Sequence, residues 1–285
     1  MGINRRDFMK TVGLAGATLT FGKSVGSPQQ DETTELYGML YDSTLCIGCQ
    51  NCEFSCAGEH GLDDPTDAPE LGVVRKADTD HRTVVNLYET SQGEAYIKSQ
   101  CMHCNQAACV TACLTQALHK TKTGPVVWRE GKCMGCRYCM LSCPFDSPKF
   151  EYNKTNPKIV KCTMCAERQK EGKEPACVEG CPMGAITFGK RSDLIKEARK
   201  RIHDDPDFYY DHIYGEHEAG GTGWMYIAGV PMNELGFKTD IQKKSYPSLT
   251  KGFIGSIAPV DILLPGVLLG IYAATKSIRE EGEES

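Results

Sequence analysis

Cys46-Ile-Gly-Cys49-Gln-Asn-Cys52-Glu-Phe-Ser-Cys56 and Cys133-Met-Gly-Cys136-Arg-Tyr-Cys139-Met-Leu-Ser-Cys143 are two copies of one pattern. In each, three cysteines stand three apart and a fourth follows four residues later. Cys101, Cys104, Cys109 and Cys113 form a looser copy, and Cys162, Cys165, Cys177 and Cys181 form another. Every quartet opens with two cysteines three apart and closes with a pair four apart. The chain has 16 cysteines, so the four quartets use them all.

The spacing selects the chemistry. The C-x2-C-x2-C-x3-C run is that of bacterial ferredoxins, and Pro144 follows the last cysteine of the third quartet. Three thiolates on such a loop wrap three corners of one iron–sulfur cube. The fourth points away, toward a neighbouring cube, so the motifs work in pairs. Sixteen thiolates match four [4Fe-4S] clusters and a path for single electrons. A structural zinc site also uses paired C-x2-C steps, but zinc gives no reason for the repeated third and fourth cysteines. Disulfides suit an exported chain, yet cysteines this close in sequence have awkward bridge geometry. A zinc- or disulfide-stapled structural protein is therefore the alternative of another class.

The N-terminus, Asn4-Arg5-Arg6-Asp7-Phe8-Met9-Lys10 followed by a mildly apolar run to Phe21, has the form of a twin-arginine export signal over residues 1–26. That route carries folded proteins, which suits clusters inserted in the reducing cytoplasm. Losing residues 1–26 removes four basic and one acidic side chain, taking the formal charge from −5 to −8. So acidic a chain does not point to nucleic acid as a partner. Near the other end, Gly252 to Thr275 is a stretch of 24 residues whose only formal charge is Asp261. Its length suits a transmembrane anchor, and an acidic tail, 276–285, follows it. Pro259, Pro265 and Asp261 are unusual there. Asp261 is a candidate for proton handling at a quinone site or for a contact with a partner helix.

Between the ends, the composition is that of a soluble globular protein. The internal repeat organises it. Quartets two and three lie close together, around a hairpin-like stretch from His119 to Trp128 that turns at Thr123-Gly124. They form one two-cluster lobe over residues 96–153. Quartets one and four flank it and pair as an outer lobe, 35–95 with 154–202. The expected fold is α+β, two bacterial-ferredoxin-like two-cluster lobes, one inserted in the other, with a C-terminal transmembrane helix. Residues 82–88, 185–189 and 224–230 read as strands. Ser192 reads as the cap of an amphipathic helix carrying Leu194, Ile195, Ala198 and Ile202 on one face. Residues 203–250 form an extension, and Gly220-Gly221-Thr222-Gly223 reads as a turn rather than a phosphate loop. Lys132, Arg137 and Lys161 adjoin cysteines and read as solvated or ion-paired surface cations. His103 reads as a second-layer or surface histidine.

The segments Gly38-Met-Leu-Tyr-Asp-Ser-Thr-Leu-Cys46-Ile-Gly-Cys49, Gln100-Cys-Met-His-Cys104, Gly135-Cys-Arg-Tyr-Cys-Met140 and Pro175-Ala-Cys-Val-Glu-Gly-Cys-Pro182 resemble the four-cluster subunits of exported membrane-bound oxidoreductases. Formate dehydrogenase-N and the dimethyl sulfoxide and polysulfide reductases have such subunits. The nearest resemblance is to the HybA-type subunit of uptake hydrogenases, through the GMLYDSTLC lead-in, Tyr214-Gly215-Glu216, Gly220-Gly221-Thr222 and Gly229-Val230-Pro231. The resemblance implies four ligand sets: Cys46, Cys49, Cys52 with Cys181; Cys162, Cys165, Cys177 with Cys56; Cys101, Cys104, Cys109 with Cys143; and Cys133, Cys136, Cys139 with Cys113. It implies no catalytic residue in this chain. It implies electron relay between a catalytic subunit, a [NiFe] hydrogenase, and a quinone-reactive membrane subunit, on the periplasmic side of the cytoplasmic membrane. The equivalent beta subunit of a molybdopterin oxidoreductase is the alternative within this class. Ala57 and Leu114 depart from the proline that often follows the last cysteine.

Overall fold

The computed structural model describes residues 35–283. The expected export signal, 1–26, and the side chains of the expected acidic tail lie outside the described residues. In chain order the elements begin with β1 (Tyr37–Asp42), α1 (Asn51–His60), β2 (Thr83–Thr90), β3 (Gly93–Gln100) and α2 (Ala108–Thr111). Then come β4 (Leu118–Lys120), β5 (Val126–Trp128), α3 (Tyr138–Leu141), β6 (Lys149–Phe150) and β7 (Ile159–Val160). The remainder is α4 (Ala166–Lys170), α5 (Ala176–Glu179), β8 (Ile186–Lys190), α6 (Arg191–Asp204), β9 (Trp224–Ile227) and α7 (Tyr246–Glu283).

A three-stranded sheet carries the centre. β1 lies between β8, antiparallel to it, and β9, parallel to it. The period of two along a strand divides its faces. Met39, Tyr41, Trp224 and Tyr226 pack with Cys52, Cys177, Val85 and Ile97 in one core. Leu40, Met225 and Ile227 point the other way, onto Leu194, Ala198 and Ile202 of α6. That matches the apolar face read from the sequence. The helix cap differs. α6 starts at Arg191 because β8 runs straight into it, and the Leu36 carbonyl takes the Arg191 N–H at 2.8 Å. Ser192 Oγ donates instead to Glu35 Oε1 at 3.2 Å.

Arg191 also explains the glycine turn. Its guanidinium donates to the carbonyls of Thr222, Gly215 and Glu216 at 2.7, 3.1 and 2.9 Å. Gly221 has φ +85°, and a Cβ there would stand 2.7 Å from Asn105 Nδ2 and 2.9 Å from Arg191 Nη2. The turn is thus a buried brace between the extension and α6.

Strand β2 is the one expected at 82–88. Its partner β3 carries the hairpin past residue 95, and Val85 and Ile97 bury it against the central core. β4 and β5 form the expected hairpin around residues 119–128. Helix α1 packs on α5, and α2 packs on α3. Helix α7 is longer than the apolar stretch alone, with Pro259 and Pro265 inside it. Its Tyr246–Ala273 part is long and apolar enough to cross a membrane, and none of its most apolar 18-residue window is buried in this chain. It leaves the body beside α2, where Ser245 Oγ donates to Gln106 Oε1 at 2.6 Å.

Candidate metal centres

Each quartet makes the same local turn. The residue two after the first cysteine has a left-handed backbone in all four: Gly48 (φ 70°), His103 (φ 49°), Gly135 (φ 71°) and Met164 (φ 52°). Glycine adopts this freely, whereas His103 and Met164 do so at a cost. The turn aims amide hydrogens at the first cysteine's side, and the Met164 N–H reaches Cys162 Sγ at 3.3 Å. A second left-handed residue stands three after the last cysteine in three quartets: Gln116, Asp146 and Gly184. It folds the next amide back, so the Ala117 N–H donates to Cys113 Sγ at 3.2 Å and the Ser147 N–H to Cys143 Sγ at 3.5 Å. Such N–H donors stabilise a thiolate. Burial raises the Cys113 thiol, but the N–H groups of Leu118 and Ala117 and the Thr115 hydroxyl outweigh it and bring the thiol below its ordinary range.

All 16 thiols are unbridged. Most are pushed upward, first by burial and then by one another, and those mutual influences identify neighbours. Burial pushes Cys46 up, and Cys181 and Cys49 add to it. Burial pushes Cys52 up to about 12, with Cys46 and Cys181 nearby. Cys56 is likewise pushed up to about 12 by burial, then by Cys162 and Cys165. Cys104 feels burial first, then Cys101, Cys143 and Cys109. Cys139, up to about 11 through burial, faces Cys113, Cys133 and Cys136. Each group joins three cysteines of one quartet to the last-standing cysteine of another, or to the opening pair of another in the case of Cys56. Three further influences run between groups: Cys52 acts on Cys177, Cys101 on Cys162, and Cys139 on Cys109. These influences link each group to another. Cys49 and Cys136 are exposed.

Four observations test what these thiols suit. Cys113, Cys133, Cys136 and Cys139 line one cavity with about 320 Å³ of empty space, open to solvent on one side. The Trp128 Nε1–H, beside that cavity, is buried without an acceptor. Among the described residues, no three His, Cys, Asp or Glu side chains converge as they would on a single metal ion. Lys98, Lys120 and Lys161 are buried, or nearly so, with no carboxylate in ion-pair contact among the described residues. Buried ammonium groups need anions. A cluster large enough to hold thiolates apart, and negative overall, meets all four conditions. A mononuclear zinc site does not meet the third.

Lys161 corrects the expectation of a surface cation. It is 5% exposed, and its Nζ donates to the carbonyls of Val126 and, at 2.9 Å, Cys162. The chain turns back through β7 just before Cys162, which draws the side chain inward. Lys132 and Arg137 are exposed as expected, and Arg137 lies over the Phe150 and Tyr152 rings at 5.5 Å from each centroid. His103 is a buried second-layer group: its Nδ1 accepts the Val126 N–H at 2.9 Å. Lys98 and Lys120 carried no sequence signal, because neither adjoins a cysteine in the chain. Lys120 Nζ donates to the Cys104 carbonyl at 2.8 Å, and burial lowers it to about 8. Asp261 lies exposed on α7, away from every cysteine quartet in sequence.

Comparison with known proteins agrees with this chemistry. Residues 93–191 match the 4Fe-4S dicluster domain, which spans quartets two, three and four. A protein of Nitratidesulfovibrio vulgaris is 42% identical over 287 residues, covering 96% of this chain and 77% of that protein. The hydrogenase-2 operon protein HybA of Escherichia coli O157:H7 is 37% identical, covering 82% of this chain and 83% of that one. The nitrate-inducible formate dehydrogenase iron-sulfur subunit of Escherichia coli K12 is 34% identical, over 77% and 78%. With cysteine turns, buried cations and relatives in agreement, this chain belongs to the family of iron–sulfur electron-transfer subunits of oxidoreductases.

Proposed function

We propose that this chain holds four [4Fe-4S] clusters in a row and relays electrons between a periplasmic catalytic subunit, a [NiFe] hydrogenase, and a quinone-reactive membrane subunit. The observation that supports the reading is the succession of thiol groups, the inner two with a neighbour on either side and exposed cysteines, Cys49 and Cys136, at the two ends. The sets along the row are Cys46, Cys49, Cys52 and Cys181; then Cys56, Cys162, Cys165 and Cys177; then Cys101, Cys104, Cys109 and Cys143; then Cys113, Cys133, Cys136 and Cys139. The packing of α1 on α5 and of α2 on α3 supports two lobes, one inserted in the other.

When bound, such clusters accept and release single electrons, with no proton or group transferred. The protein's part is to hold them in place, exclude water from the inner two sets and supply charge around them. Exposed apolar side chains surround both ends: Ile47, Phe54 and Met183 near one, Leu114, Met134 and Leu141 near the other. They suit contacts with partner subunits. Because α7 departs beside α2, the end at Cys136 is assigned to the membrane partner and the end at Cys49 to the catalytic partner. Helix α7 serves as the anchor, and Arg5-Arg6 as the twin-arginine signal that brings the folded chain to the periplasm.

The hydrogenase reading is favoured by the similarity to HybA over four-fifths of both chains. The similarity to the formate dehydrogenase subunit supports a molybdopterin partner as the second reading. Mass spectrometry of what co-purifies with the chain from gently solubilised membranes, without oxygen, separates them. A nickel–iron enzyme pair supports the first. A large molybdopterin subunit replaces it with the second and leaves the relay intact.

A further inference from the structure

Lys98 lies in β3 opposite Val85, on the core-facing side of the β2–β3 hairpin, and is 1% exposed. Its Nζ donates to Thr83 Oγ1 across the hairpin and stands 5.2 Å from the centroid of the Trp224 ring. Trp224 itself packs in the core that contains Cys52 and Cys177. An ammonium group has three N–H donors. Thr83 takes one, and no other protein acceptor takes a second among the described residues. Lys120 and Lys161 differ, because each is held by two backbone carbonyls. Glu53, the buried carboxylate nearest in the chain fold to Cys52, is already paired with Arg75 at 2.7 Å.

A buried cation this poorly served persists only if an anion faces it. We propose that Lys98 is the internal countercharge of the outer lobe, serving the clusters whose ligands Cys52 and Cys177 share its core, and that it raises their midpoint potentials above what burial alone allows. The reduced cluster carries one more negative charge than the oxidised one. A fixed ammonium in a water-excluded site favours the reduced form, with little screening. Potential along the row is then set unevenly, with the clusters of the outer lobe the more readily reduced. The inference rests on the cluster assignment proposed above.

The test is an EPR-monitored redox titration of the intact, anaerobically purified complex, with iron counted on the same sample. Lys98→Met keeps the bulk and removes the charge, whereas Lys98→Arg keeps the charge. The expected result is a fall of the outer lobe's midpoint potentials in Lys98→Met, those of the inserted lobe moving less, with Lys98→Arg close to the wild type. Full iron with four unmoved potentials in Lys98→Met overturns the inference and leaves the cluster assignment standing. A uniform shift of all four also overturns it. A wild-type complex without roughly sixteen irons in this chain, four to each cysteine set, overturns both readings. If Lys98→Met does not assemble, Thr83→Val, which frees the ammonium from its one protein acceptor, is titrated instead. The same outer-lobe potentials are expected to move, and an unmoved set of potentials counts against the role.

Discussion

The cysteine that closes each quartet is the residue on which the proposed arrangement turns. Cys181 lies close enough to Cys46 and Cys52 to act on both. Replacing Cys181 with serine is therefore expected to alter the EPR signal of the cluster on Cys46, Cys49 and Cys52. The signal of the Cys162 set should stay in place. The reverse pattern would show that each quartet ligates its own cluster. Gly48 makes a second residue-scale prediction. Its φ of +70° and the Tyr96 ring packed against its Cα leave no room for a Cβ. Gly48→Ala is expected to cost about 1–3 kcal/mol from backbone strain, with more from displacing the ring. A lowered thermal midpoint with reduced iron content is the readout.

Among the elements, α1 depends on one buried carboxylate. Glu53 lies between Cys52 and Cys56 and is 3% exposed. It accepts both Arg75 nitrogens, at 2.7 and 3.2 Å, and the Val85 N–H at 2.7 Å. These bonds tie the helix that carries two ligands to the hairpin that carries Lys98. Glu53→Ala leaves the guanidinium and an amide unpaired, and is expected to cost about 3 kcal/mol, the low end for a broken buried pair. Denaturant unfolding of the cluster-loaded protein measures it, and a change under about 0.5 kcal/mol, the range of ordinary surface substitutions, would refute this role. Asp42 plays the matching part under α6. It accepts from Arg201 Nη1 at 3.1 Å, Tyr209 Oη at 2.8 Å and Thr44 Oγ1 at 2.6 Å. Strand β1 needed tertiary partners to be recognised. It becomes a strand because β8 and β9 take its hydrogen bonds on both sides.

For the whole molecule, the clusters serve as core as well as cargo. Without iron, the inner thiols face one another in low dielectric, and the buried ammonium groups of Lys98 and Lys161 lose their anions. Stripping iron with a chelator and oxidant is expected to expose apolar surface and lower the unfolding midpoint sharply. Dye binding and circular dichroism report it, and an iron-free protein with unchanged melting would contradict it. Ending the chain at Ser245 removes α7 and keeps the Ser245–Gln106 contact. That chain is expected in the soluble fraction with its iron intact, whereas the full chain sediments with membranes.

The sequence by itself determined the ligand chemistry, the four-fold count of motifs and the apolar C-terminal helix. These depend on spacings of a few residues or on an unbroken apolar run, both local properties of a chain. The amphipathic face of α6 was legible for the same reason, since Leu194, Ala198 and Ile202 repeat at helical spacing. Only the tertiary structure decided the burial of Lys98, Lys120 and Lys161 and the place of β1 between β8 and β9. Lys98 is 46 residues from Cys52 in the chain, and no local pattern couples them. The β2–β3 hairpin and the central sheet bring them together, because burying Val85 and Trp224 in one core turns the lysine, which lies opposite Val85, inward with them.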